Sequence, residues 1–183
     1  MRNLFNTKHR LVKIVESIPD AKAPLGWELC SIIAIGGLTE VGFSKQYSNM
    51  LLVISSAGRG LIDCNTGEKI ARDYEEYGDW YSSFNLTSMG IGIISNESIS
   101  ISGLCGGGLP VANHYGETLT VASPKWPLEY LIWAPLGKDP LIDRFQEGCL
   151  RIMSDFFVCA GFSWNGEFIV AATSSDITIW KRV

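Results

Sequence analysis

Gly161-Phe162-Ser163-Trp164-Asn165-Gly166-Glu167-Phe168-Ile169-Val170-Ala171-Ala172-Thr173-Ser174-Ser175-Asp176-Ile177-Thr178-Ile179-Trp180 is the stretch on which the fold turns. A Gly-Phe-Ser step leads through a polar turn into an apolar run, then through a Ser/Thr turn into a second, alternating run. Short β-branched and aromatic runs bounded by Gly, Ser, Asn and Asp are strands joined by tight turns. The same order occurs early in the chain, as Gly42-Phe43-Ser44, a polar spacer, Leu51-Leu52-Val53-Ile54-Ser55-Ser56 and Gly60-Leu61-Ile62-Asp63-Cys64. Two weaker copies of the strand, turn, strand core are Gly90-Ile91-Gly92-Ile93-Ile94-Ser95 with Ile99-Ser100-Ile101, and Leu119-Thr120-Val121-Ala122-Ser123 with Tyr130-Leu131-Ile132-Trp133. Aligned on Ser56, Ser95, Ser123 and Ser174, the copies fall 39, 28 and 51 residues apart. Nineteen glycines and seven prolines supply the turns that such a chain needs.

The mean spacing approaches the roughly 40–45 residues of a four-stranded propeller blade. The expected fold is therefore all-β, a small or degenerate β-propeller of about four units, with a β-sandwich built of the same hairpins as the alternative. Trp27 to Ile35, which no copy claims, is the expected closing strand. Residues 1–26 stand apart from the single all-β repeat domain over 27–183. Leu4, Leu11, Ile14, Val15 and Ile18 keep a rough helical period, so a short amphipathic helix is expected there. Pro19-Asp20-Ala21-Lys22-Ala23-Pro24 then reads as a turn or linker.

The first and last units resemble WD40-type propeller repeats: Gly-Phe-Ser before a turn, a small apolar strand, a Ser/Thr turn, a strand ending in an acidic or Trp position, and Thr66-Gly67-Glu68 after it. The resemblance covers mainly residues 38–72 and 155–183. The family's Gly-His pair is absent, and Trp-Asp is represented only by Trp180-Lys181.

Composition narrows the function. The 183 residues are 46% hydrophobic and 19% charged, which describes a folded chain rather than a disordered one. A formal charge of −4 gives no electrostatic reason to approach nucleic acid or an anionic membrane, and a basic partner suits it better. Lys8, Arg10, Lys13 and Glu16 interrupt any apolar run near the N-terminus, so neither a signal peptide nor a membrane span is expected and the location is cytoplasmic. The five cysteines, Cys30, Cys64, Cys105, Cys149 and Cys159, form no C-x-x-C pair and are odd in number. Reduced thiols in or near the core are expected, with no metal site.

Motifs that suggest catalysis or cofactor binding have simpler structural readings. Gly103-Leu104-Cys105-Gly106-Gly107-Gly108-Leu109-Pro110 lacks the Lys and Ser/Thr of a phosphate loop and reads as a turn. Gly161-Phe162-Ser163-Trp164-Asn165-Gly166 places its second glycine one residue late for a nucleophile elbow. Asp63-Cys64-Asn65-Thr66-Gly67-Glu68 departs from a calcium loop and reads as a β-turn. A hydrolase would have to use His114 with a Ser or Cys supplied by the fold. No cofactor motif is present.

One stretch differs from an ordinary surface: Asp73-Tyr74-Glu75-Glu76-Tyr77-Gly78-Asp79-Trp80-Tyr81 holds four carboxylates and four aromatic rings in nine residues. Carboxylates speed encounter with a basic partner, and Tyr and Trp supply rigid contact area. Asp73, Glu75, Glu76 and Asp79 are therefore the expected charge-bearing contacts, and Tyr74, Tyr77, Trp80 and Tyr81 the expected anchors. Pro124-Lys125-Trp126-Pro127 is a second, weaker candidate surface. The segments Asn85-Leu86-Thr87, Gly106-Gly107-Gly108-Leu109-Pro110 and Thr173-Ser174-Ser175-Asp176-Ile177-Thr178-Ile179-Trp180 are similar to those of small bacterial proteins resembling immunity proteins of toxin–immunity pairs, such as those of contact-dependent growth inhibition. That resemblance implies a non-enzymatic, cytoplasmic protein that occupies the active-site cleft of a small basic, nuclease-type toxin domain. A scaffold subunit of a larger assembly and a hydrolase using His114 are the alternatives.

Overall fold

A computed structural model describes residues 2–75 and 78–183. After the helix α1 (Arg2–Ser17) come β1 (Trp27–Ala34), β2 (Leu38–Phe43), β3 (Met50–Ser55), β4 (Gly58–Asp63) and β5 (Glu68–Asp73). Short strands follow: β6 (Tyr81–Ser82), β7 (Thr87–Met89), β8 (Ser98–Ser100) and β9 (Ser102–Gly103). The chain ends with β10 (Thr118–Lys125), β11 (Leu128–Ala134), β12 (Leu150–Asp155), β13 (Cys159–Phe162), β14 (Phe168–Ala172) and β15 (Asp176–Arg182). They make four antiparallel sheets, ordered β5-β4-β3-β2-β9, β6-β7-β8, β10-β11-β12 and β13-β14-β15-β1. The all-β reading holds.

The two Gly-Phe-Ser steps are structurally equivalent. Phe43 and Phe162 are buried, and the backbone N–H of each following serine donates across its turn, Ser44 to Met50 O at 3.0 Å and Ser163 to Phe168 O at 2.9 Å. Each serine Oγ then organises the turn, Ser44 accepting from Tyr47 N–H at 2.9 Å and Ser163 from Phe168 N–H at 3.0 Å. The glycines matter because another chain segment crosses them. A Cβ on Gly42 lies 2.4 Å from Ser100 O, and one on Gly161 lies 2.3 Å from the Leu109 Cβ. Gly161→Ala is therefore expected to cost about 1–3 kcal/mol as the Leu109-Pro110 segment is displaced. Urea denaturation reads this directly, and an unchanged midpoint would contradict the close approach.

Alternation along the central strands builds the layers. Phe168, Val170 and Ala172 of β14 face the β2–β5 sheet, in a cluster with Val41, Phe43, Leu51 and Val53. Ile169 and Ala171 face the other way, joining Leu119, Leu131, Trp133 and Trp180. The far face of β3 and β4 is covered by Ile91, Ile94 and Ile99, and the far face of the β10–β12 sheet by Val15 and Ile18 of the α1 region. The layers thus run helix, β10–β12, β13–β15 with β1, β2–β5, then β6–β8. Among the described residues, no hydrophobic cluster joins the β6–β8 sheet to the β10–β12 sheet.

The segment expected to close a ring forms an edge strand of an open sheet instead. β1 pairs antiparallel with β15, from Trp27 opposite Arg182 to Ala34 opposite Asp176, with a bulge at Cys30. The segment read as a linker is tied down as well: Ala21 N–H donates to Arg151 O and Arg151 N–H to Pro19 O, both at 2.9 Å.

One repeat copy is corrected. Gly90 to Ser95 is not a strand, since Gly92–Ile94 is a single turn of 3-10 helix. Gly92 sits at φ +59°, a left-handed conformation incompatible with extended backbone, and Ile94 turns inward to pack on Leu52 and Leu61. The third copy does form a hairpin, β10 with β11. The cysteine expectation needs refining: Cys64 and Cys149 are buried, Cys30 and Cys159 half-buried, and Cys105 exposed.

Candidate functional site

The acidic, aromatic stretch begins where β5 ends. Register places Arg59 of β4 directly opposite Asp73. The Arg59 Nε donates to Asp73 Oδ2 at 3.1 Å, a second guanidinium nitrogen forms an ion pair with the same oxygen, and Nη1 donates to Met89 O at 2.9 Å. The arginine is almost wholly buried, and its guanidinium lies 4.1 Å from the centroid of the Trp80 ring. Asp73 Oδ1 in turn accepts the backbone N–H of Glu75 at 2.9 Å. That backbone bond, followed by the Arg59 contact, holds the Asp73 carboxyl below its ordinary value.

A pH dependence follows from the sign of that shift. A carboxyl lowered in the folded state contributes stability above its unfolded pKa of about 4 and loses that contribution as pH falls through the folded value. The stability advantage of the wild type over Asp73→Asn is expected to be full at neutral pH and to vanish under acid conditions. Equal sensitivity of the two proteins in an acid titration would refute the pairing.

The predicted anchors divide. Tyr74 is 77% exposed, with the Arg72 guanidinium 5.0 Å from its ring centroid. Glu75 and Asp79 are exposed. Trp80, expected as an anchor, is instead buried among Ile54 and Ile101, and packs edge-on to Tyr81. The reason lies in partners distant in sequence: Ile54 and Ile101 form an apolar bed for one part of the indole and the Arg59 cation covers its face. Tyr81 is half-buried, with its hydroxyl donating to Glu40 Oε1 at 3.2 Å and lying 3.0 Å from Cys105 Sγ. Burial, then the Cys105 and Glu40 contacts, push this phenol above its ordinary pKa. Asp73 is a structural partner of Arg59 rather than a free charge. Glu76 and Tyr77 lie outside the described residues.

Three features of this region escaped the sequence reading. Arg59 comes from a different strand, and only pairing register brings it here. Glu40, on β2, is buried to 2% exposure, and its Oε2 has no hydrogen-bond partner among the described residues. Phe84, 95% exposed, stands at the β6–β7 turn, where Ser82-Ser83-Phe84-Asn85 offered the signal of an aromatic among turn residues. Trp126, the second candidate, is also exposed, in the β10–β11 hairpin.

The motifs set aside on sequence are turns. Asp63 O accepts the N–H groups of Thr66 and Gly67, closing the β4–β5 connection. His114 stacks on Tyr115 with centroids 3.9 Å apart, and among the described residues no hydrogen bond joins it to a serine or cysteine. Two thiols are far from nucleophilic. Burial holds Cys64 well above its ordinary pKa, and although Cys159 is partly exposed, desolvation and then the Glu40 carboxylate push its thiol up to about 12. Among the described residues no group of three or more His, Cys, Asp or Glu is placed to hold a metal ion, and no helix is long and apolar enough to cross a membrane.

Compared with known proteins, the chain matches no family model, no curated protein and no solved structure.

Proposed function

We propose that this chain is a protein-binding protein of degenerate, propeller-like build, and that the segment after β5 docks a basic partner through Tyr74, Glu75 and Asp79. The partner is a nuclease-type toxin domain, which the chain neutralises in the cytoplasm as an immunity protein by covering its phosphate-binding cleft. The observation that carries this reading is an exposed tyrosine followed directly by the solvent-facing Glu75, with an exposed Asp79 further along the chain, where the start of the segment is fixed by the Asp73 and Arg59 contacts. Pre-ordering the chain at Asp73 and Glu75 lowers the conformational cost of binding through Tyr74. The pairing of β1 with β15 supports the propeller-like build, because it ties an early strand into the last sheet.

Capture from the native host tests the reading. The wild-type chain is expected to retain a small basic protein at equal stoichiometry. Tyr74→Ala is expected to weaken that complex by about 2–4 kcal/mol, and Glu75→Gln with Asp79→Asn to slow association about tenfold at low salt. A captured partner that binds all three proteins equally would remove this surface. A scaffold role is favoured by a different observation: Trp126 and Leu136 are also strongly exposed, away from this segment in sequence. In that case Trp126→Ala, and not Tyr74→Ala, would release the partner.

A further inference from the structure

An open groove of about 590 Å³ runs beside β5, the outer strand of its sheet. Its walls are residues 34–36, residues 55 and 57, and β5 from Lys69 to Arg72, with Tyr74 beyond. A bulge shapes it: Ala71 pairs with Leu61 and Lys69 with Ile62, so Ile70 is the extra residue, and it stands 44% exposed in the groove. A bulge at an edge re-aims side chains and discourages the addition of another strand.

Two cations line this groove. Lys69 Nζ donates to Ala34 O at 2.8 Å, and Arg72 Nη2 donates to Ala57 O at 2.9 Å while its guanidinium covers Tyr74. Both acceptors are neutral carbonyls, so the side chains are positioned without their charge being cancelled. Among the described residues neither cation has a carboxylate within ion-pair distance. Asp73, next to Arg72, is committed to Arg59, and Glu68, next to Lys69, is exposed but is not among the residues that line the groove. In a chain of net charge −4, the lining of this groove carries, among the described residues, two cations and no carboxylate.

We propose that the groove docks an extended acidic segment of a partner protein. Its carboxylates meet Lys69 and Arg72, and an aliphatic side chain packs on Ile70 and the Tyr74 ring. Side chains, rather than strand addition, carry the recognition, because the bulge interrupts the edge. This goes beyond the basic-partner surface and does not rest on it: the determinants are Lys69 and Arg72, not Glu75 and Asp79.

The test is fluorescence anisotropy with a labelled short peptide of alternating Glu and Leu, set against its Lys and Leu counterpart at low salt. The acidic peptide is expected to bind the wild type, with affinity falling at least about tenfold in Lys69→Glu with Arg72→Glu and falling with added salt. Lys69→Gln with Arg72→Gln, checked for folding by circular dichroism, gives an intermediate loss. Glu75→Gln with Asp79→Asn leaves the binding intact, which separates failure here from failure of the basic-partner surface. Equal binding of both peptides, equal binding by wild type and charge-reversed variant, or no binding up to about 1 mM would overturn the proposal.

Discussion

Trp180→Ala is expected to lower folding stability by about 3–5 kcal/mol, the range for a buried aromatic truncation. Trp180 is 1% exposed and belongs to the cluster that joins the β10–β12 sheet to β13–β15. Its Nε1 also donates to Lys22 O at 2.8 Å, so one side chain secures the N-terminal segment against the last hairpin. In β15 it lies opposite both Leu29 of β1 and Ile169 of β14. Losing the ring therefore opens a cavity where two sheets and the segment before β1 meet. Trp180→Phe separates the contributions: it keeps most of the packing and gives up the N–H bond, with an expected loss of about 1 kcal/mol beyond the change in ring volume. Urea denaturation followed by far-ultraviolet circular dichroism measures both. A loss below about 1 kcal/mol for the alanine variant would contradict a well-packed junction.

Arg59→Ala is the second large effect, expected at about 2–4 kcal/mol, below the range for a fully buried pair because Asp73 keeps access to water. The substitution removes the guanidinium donors to Asp73 Oδ2 and Met89 O and uncovers the face of Trp80. Glu75, whose carboxylate is 3.7 Å from the Arg59 guanidinium, loses its nearby cation as well. The consequence therefore extends from stability to the docking segment. Arg59→Met with Asp73→Asn is expected to recover much of the loss, since an apolar replacement removes the uncompensated charge along with its partner. If the double variant is no more stable than Arg59→Ala, the ion pair is not what holds this corner.

What the sequence made legible was local and periodic. Gly42-Phe43-Ser44 and Gly161-Phe162-Ser163 predicted equivalent strand ends, and both end in a buried phenylalanine followed by a turn-closing serine. The apolar runs of β3 and β14 were readable because both faces of each strand are covered. At Gly90 to Ser95 the same apolar content misled, because isoleucines pack equally well from a 3-10 turn when glycine permits the bend. The candidate site was half readable. Composition located a cluster of rings and carboxylates, but the direction of each side chain depended on long-range partners. Trp80 turned inward because Arg59, 21 positions earlier in the chain, meets its face through strand register. Tyr74 stayed outside, and among the described residues it is, with Glu75 and Asp79, the exposed part of the predicted surface.

The measurement that tests the docking account most directly is hydrogen exchange of the chain alone and with its captured partner. Protection is predicted to concentrate on residues 73–84, with the β10–β11 hairpin around Trp126 unchanged. Protection at that hairpin, with residues 73–84 exchanging as in the free chain, would contradict it.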